Sequence, residues 1–144
     1  MIDVLNETNI NAPVAKVFEY ASDPDNAPLW YVNIKSVVWK TPKPLAVGTR
    51  VAFVAQFLGR KLSYTYELIE FIPGIKLVMR TSEGPFPMET SYTWQPTDEH
   101  TTRMTLRNRG MPKGFSKIFK PFMKAMIRRA NQKDLNRLKH ILER

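Results

Sequence analysis

The sequence predicts an α+β domain in which an antiparallel sheet with one apolar face is covered by a long C-terminal helix. Three observations carry this reading. Apolar and polar residues alternate through most of residues 50–110, Gly and Pro turns separate the alternating runs, and from Pro121 onward the spacing becomes helical. At 144 residues the chain has the length of one domain, and residues 1–144 are read as one.

"MIDVLNETNI" opens with apolar residues and then alternates loosely, as a first strand does. In "NAPVAKVFEYASDP", Asn11 is the expected N-cap and Pro13 fits the first turn, while Val14, Val17, Phe18 and Ala21 recur at helical spacing. Asp23-Pro24 caps a second short helix, which Pro28 is expected to limit before Trp30 and Tyr31.

The period then changes to two. In "VGTRVAFVAQFLGRKLSYTYELIEFIPG" one face collects Val51, Phe53, Ala55 and Phe57, then Leu62, Tyr64, Tyr66 and Leu68 after a turn at Gly59. Arg50, Gln56, Ser63, Thr65 and Glu67 take the other face, which gives a hairpin with one wet side. After a Pro73-Gly74 turn, "IKLVMRT" sets Leu77, Met79 and Thr81 against Lys76, Val78 and Arg80. "METSYTWQ" and "HTTRMTLRNRG" continue the scheme. Met88, Thr90, Tyr92, Trp94, Met104 and Leu106 face one way, with Glu89, Arg103, Arg107 and Arg109 opposite. Five or six strands result, and their apolar face needs a cover. In the C-terminal segment Phe122, Met123, Met126, Ile127, Ala130, Leu138 and Ile141 form one broad stripe, with Pro121 in the first turn and "GFSKIFK" as a looser lead-in.

Charge is distributed unevenly. Of the net +9, residues from Lys113 to the end hold ten Lys and Arg against Asp134 and Glu143. Lys113, Lys117, Lys120, Lys124 and Arg128 recur every three or four residues. Three readings stand side by side: a solvated helix face, a nucleic-acid contact, and a membrane-surface contact. No readout motif accompanies the charge, which disfavours nucleic acid. Phe115, Phe119 and Phe122 among the cations favour an anionic membrane surface, for which the candidates are Lys113, Phe115, Lys117, Phe119, Lys120 and Lys124.

Several chemistries find no residues to support them. Cysteine is absent, so the chain has no disulfide framework, thiol nucleophile or cysteine-based metal site. His100 and His140 stand alone, no His-x-x-x-His pair or clustered carboxylates occur, and phosphate-loop and dinucleotide motifs are missing. Glu70 lies near an inward register but at a strand end, where it is read as solvated. No metal or cofactor is expected and no catalytic residue is assigned. No run approaches the roughly 20 apolar residues of a membrane span. The expectation is a soluble, cytoplasmic protein, with peripheral membrane association as the alternative.

"INAPVAKVFEYASDP", Trp30, Gly48-Thr49, "LGR", "EFIPG", "EGPFPMETSYTW", "RMTL" and the closing "LNRLKHILE", in this order over the whole chain, resemble the polyketide cyclase/dehydrase and lipid-transport superfamily, which includes the birch-pollen-allergen fold and steroidogenic-acute-regulatory-related lipid-transfer domains. The resemblance implies a helix-grip fold. In that architecture a curved seven-stranded antiparallel sheet wraps the C-terminal helix and leaves a cavity between them. It implies no single reaction, since members bind, carry or transform different apolar molecules.

The inward residues then become candidate ligand contacts: Trp30, Phe53, Phe57, Tyr64, Tyr66, Met79, Met88, Tyr92, Trp94, Met104, Met123, Met126 and Ile127. Mostly aromatic, aliphatic and methionine side chains with a few hydroxyls suit a small apolar ligand, although the same residues also make a closed core. The expected function is binding or carriage of a lipid, isoprenoid or polyketide-like molecule. The alternatives are a cyclase or dehydratase acting on such a compound, or a basic membrane- or nucleic-acid-interacting module.

Overall fold

In a computed structural model of the chain, residues 2–57, 59–84, 87–110 and 120–144 are described, Phe57 and Lys120 through their backbone alone. Strand β1 (Ile2–Ile10) leads to helix α1 (Val14–Ser22), a 3₁₀ turn (Pro24–Asn26) and helix α2 (Ala27–Trp30). Six strands follow: β2 (Ile34–Trp39), β3 (Arg50–Phe57), β4 (Arg60–Ile72), β5 (Lys76–Glu83), β6 (Met88–Asp98) and β7 (Thr101–Gly110). Helix α3 (Lys120–Leu142) closes the order.

The strands form one antiparallel sheet in the order β1-β7-β6-β5-β4-β3-β2. Strands β2 to β7 each pair with the next in sequence, while the helical segment carries the chain from β1 at one edge to β2 at the other. The hairpin turns depend on glycine at two places, Gly59 and Gly74, whose φ values of 75° and 77° lie in the left-handed region. Register shifts between Ile34 and Ser36, Thr65 and Tyr66, Leu68 and Glu70, and Pro96 and Asp98 bend the strands. The sheet curls into a half-barrel around α3, the helix-grip arrangement.

Period-two alternation sends the polar residues to the convex face. There Arg103 donates to Glu7 and Arg107 to Asp3, each at 2.6 Å, across the β7–β1 pairing. These exposed pairs contribute about 0–1 kcal/mol each, and their main effect is to keep the outer face wet.

Three apolar clusters hold the concave side. At one end Leu135, Leu138 and Leu142 of α3 pack with Ile10, Val17, Trp30, Trp94, Met104 and Leu106. Near the start of α3, Met123 and Ile127 meet Ile2 and Val4 of β1. Ala27, Val51 and Phe53, with Tyr31, Tyr66 and Met79 against them, make the third. The C-terminal end of α3 is also tied down by hydrogen bonds. The Asn11 amide donates to Glu143 Oε2 (2.7 Å), Lys16 Nζ to the Leu142 carbonyl (3.1 Å), and Lys139 Nζ to the Asn9 carbonyl (2.6 Å).

Four local expectations need correction. Helix α1 starts one residue after Pro13, which occupies the N-cap position, and Asn11 instead binds the end of α3. Pro28 does not limit a helix but sits in the first turn of α2, where its missing N–H costs nothing. Phe122 is 60% exposed and lies off the inward stripe. Strand β2 makes up the seven strands the resemblance implied but was not placed by the residue pattern; its inward and outward residues fall out of step at a register shift, which hides its period. Asp23 does cap as expected, its Oδ1 accepting from the Asp25 amide at 3.0 Å, although the turn it opens is 3₁₀.

Leu138 is fully buried, so Leu138→Ala should lower stability by about 2–5 kcal/mol, whereas Phe122→Ala should stay within about 0.5 kcal/mol. Urea unfolding of the two variants checks this, and equal losses would contradict the packing described.

Candidate functional site

Between the three clusters the packing leaves a cavity of ≈ 210 Å³. Its walls follow from the two periods. Residues 51, 53 and 55 of β3, 62, 64, 66 and 68 of β4, 77 and 79 of β5, and 88, 90 and 92 of β6 are alternate residues that share the concave face. On α3, Met123, Ile127, Ala130, Asn131 and Asp134 recur at helical spacing, with Ala130 and Asn131 adjacent, and form the opposite wall. Ala21, Ala27 and Tyr31 close a third side from the helical segment.

Of the expected contacts, the structure brings Phe53, Tyr64, Tyr66, Met79, Met88, Tyr92, Met123 and Ile127 together around this space. Trp30, Trp94 and Met104 do not reach it. They are 1%, 3% and 0% exposed within the closed end, where Trp94 packs edge-on to Phe18 and Tyr92. Trp30 backs Tyr31 and Tyr92 at centroid distances of 4.2 and 5.7 Å, so it supports the wall from behind. Met126 is half-buried on α3 but does not line the cavity. The side chain of Phe57 lies outside the described residues. So do Lys113, Phe115, Lys117 and Phe119 of the basic stripe, together with the Lys120 side chain; Lys124 is described and exposed.

The lining is apolar apart from a few groups with defined partners. The hydroxyls of Tyr31 and Tyr92 meet at 2.5 Å. Both are held far from solvent, which raises their pKa values well above the usual phenol range; the residue Tyr31 counts as half-buried because its ring borders the cavity. Burial likewise pushes Tyr66 to about 12. A second set crosses from the sheet to the helix: Thr90 Oγ1 donates to Asn108 Oδ1 (2.7 Å), and Asn108 Nδ2 donates to Asn131 Oδ1 (3.0 Å).

Asp134 is the acid on the α3 wall; Asp23, just after α1, is the other acid among the described lining residues. Asp134 is 3% exposed, and its Oδ1 accepts from the Val32 amide at 2.9 Å. Burial raises its pKa to about 7, outweighing the Val32 hydrogen bond and the charge of Arg137, both of which favour the ionised form. Sequence reading counted Asp134 only as a countercharge on a basic helix and passed over Asn131. The available signal was spacing, since Ile127, Asn131, Asp134 and Leu138 fall on one face, so two polar residues interrupt an apolar stripe.

Glu70 is half-exposed and lies 3.5 Å from Lys76, and His100 and His140 are exposed, so none of them belongs to the cavity. Among the described residues no group of three or more His, Cys, Asp or Glu could hold a metal ion, and no helix is long and apolar enough to cross a membrane.

The sequence profile for polyketide cyclase / dehydrase and lipid transport matches residues 1–143. The chain belongs to this family. A search of curated proteins gave no match. Among solved structures, the protein TTHA0849 of Thermus thermophilus is similar at 20% identity and a TM-score of 0.82, over 96% of this chain and 94% of its own. An aromatase/cyclase from a Streptomyces species has 16% identity and a TM-score of 0.82, over 99% and 93%. A START superfamily protein of Mycobacterium smegmatis has 12% identity at the same TM-score, over 98% and 97%. At these identities the likeness establishes the helix-grip fold. Family membership supports ligand binding or cyclase chemistry at the level of the family.

In this member of the family Asp134 makes stability depend on pH in a direction opposite to a salt-bridged carboxylate. The folded chain holds its proton up to about 7, while the unfolded chain releases it near 3.8. Between those values the native state binds the extra proton, so stability falls as pH rises and then levels off above about 7. The penalty at high pH is on the order of 4 kcal/mol. Asp134→Asn keeps an oxygen for the Val32 amide and removes the titration. Urea unfolding from pH 4.5 to 8 should show the variant gaining on wild type across this window; parallel profiles would rule the assignment out.

Proposed function

We propose that the protein binds and carries a small, largely apolar molecule of lipid, isoprenoid or polyketide-like class in the cavity between sheet and helix. The observation that supports this most directly is the ≈ 210 Å³ that the core leaves unfilled. Side chains lining an unfilled apolar space forgo the dispersion contacts that a packed core would give them. The sequence keeps Ala27, Ala55 and Ala130 on its walls, where larger side chains would close it. An apolar guest recovers the lost dispersion and burial.

Ala130→Trp fills the space from the helix side. It should abolish uptake of an apolar fluorescent probe while lowering stability by less than the about 1–3 kcal/mol typical of overpacking a dense core. Undiminished uptake would overturn the carrier reading. Native mass spectrometry of protein purified from its source cells should show a co-purified apolar molecule.

The enzyme reading has one specific observation in its favour: a carboxyl with a pKa near 7 facing the cavity, able to give or take a proton. It requires turnover of a polyketide-like compound, with product formation lost in Asp134→Asn.

For the basic stripe that begins at Lys113 we propose docking on an anionic membrane surface through Lys113, Phe115, Lys117, Phe119, Lys120 and Lys124. The support from the described part is that Phe122, 60% exposed, and Lys124 both reach solvent in the first turns of α3. Grease and charge together bind bilayers better than either alone. Co-sedimentation with vesicles should be strong for anionic lipid, weak for neutral lipid, reduced by salt, and lost when the four lysines become Gln. Equal binding to both lipids, or to neither, would assign these cations to solvation.

A further inference from the structure

Resting on the carrier reading, the geometry points to a specific ligand chemistry: a neutral molecule with an apolar body and one hydrogen-bond acceptor, such as a ketone, ester or quinone oxygen, received by the side-chain amide of Asn131. Asn131 lines the cavity and is 5% exposed. Its Oδ1 is taken by Asn108, yet its Nδ2 has no hydrogen-bond partner among the described residues. A buried donor left unpaired costs about 1–3 kcal/mol, which an acceptor on a guest would recover.

The amide is aimed by the groups behind it. The Thr90 hydroxyl donates to Asn108 and Asn108 donates to Asn131, so three residues on β6, β7 and α3 pass hydrogen bonds in one direction and leave an N–H at the end. Each bond polarises the next in a low-dielectric setting. Asp134 sits three residues further along the same helix and also lines the cavity, so Asn131 and Asp134 share this stretch of the wall.

The same surroundings disfavour an anionic head group. Asp134 repels it wherever ionised. The one basic side chain among the described lining residues, Arg109, follows the inward Asn108 on β7, so alternation sends it to the convex face, where its charge acts on Asp3 of β1. A carboxylate would enter without a partner, and a pure hydrocarbon would leave the amide unpaired.

Ethylnaphthalene, acetylnaphthalene and naphthoate share one ring system and differ in the group offered to Asn131. Competition against an apolar fluorescent probe should rank acetylnaphthalene about tenfold tighter than ethylnaphthalene, with naphthoate weakest. Asn131→Leu, similar in size, should erase the preference by weakening the ketone about tenfold while leaving the hydrocarbon unchanged or tighter. In wild-type protein the Asn131 side-chain amide resonances should shift on adding the ketone and not the hydrocarbon, a readout that does not depend on the variant folding. Probe uptake without a ketone preference, a preference retained in Asn131→Leu, or naphthoate as the tightest binder would each overturn this assignment alone. Absence of probe uptake by wild type would remove the carrier reading together with it.

Discussion

The site depends on how α3 is fastened. Its C-terminal half is immobilised twice over, by Leu135, Leu138 and Leu142 in the main core and by hydrogen bonds from Asn11 and Lys16 to its last turn. Its first half meets the sheet through Met123 and Ile127 against Ile2 and Val4 of the edge strand β1. Asn6 pins the middle, its Nδ2 donating to the Arg128 carbonyl and to Gln132, both at 3.1 Å. Along its first half α3 packs on the edge strand β1, and the unfilled volume lies between that half and β3 to β6. The position of the cavity thus follows from where α3 is fastened.

Most polar groups on the cavity wall pair with one another or with backbone. Tyr31 pairs with Tyr92, Thr90 with Asn108, Asn108 with Asn131, and Asp134 with the Val32 amide. The same desolvation that raises the tyrosines and Asp134 strengthens each of these contacts. Two groups thereby become available at neutral pH, an amide donor and a carboxyl that titrates, within an otherwise apolar wall. Family membership supports ligand binding or cyclase chemistry at the level of the family.

The sheet was legible because period two survives in β3 to β7, and α3 because its stripe is long. Strand β2 was not, since a register shift between Ile34 and Ser36 breaks the alternation. For the site, alternation told which face Met79, Tyr92, Trp94 and Met104 occupy but not how far along each strand the core stays closed. Trp94 and Met104 belong to the filled end and Met79 and Tyr92 to the open part, a distinction set by where α3 crosses the sheet. Asn131 and Asp134 were readable in principle as polar residues on an apolar stripe, but a count of charges along a basic helix hid them.

The two faces of α3 act over different ranges, and this decides which property governs the cavity. Lys124, Arg128, Arg129, Lys133 and Arg137 are exposed, and water and salt screen such charges within about 8 Å. Among the described residues of α3, Arg137 is the cation whose field registers at Asp134, where it favours the carboxylate and is outweighed by burial. Had the basic face controlled the interior, the carboxyl would titrate below its ordinary range, as Asp3 does beside Arg107 on the wet side of the sheet. It titrates near 7 instead. The apolar residues of α3 therefore set the chemistry of the cavity, while its cations act on whatever meets the outer surface.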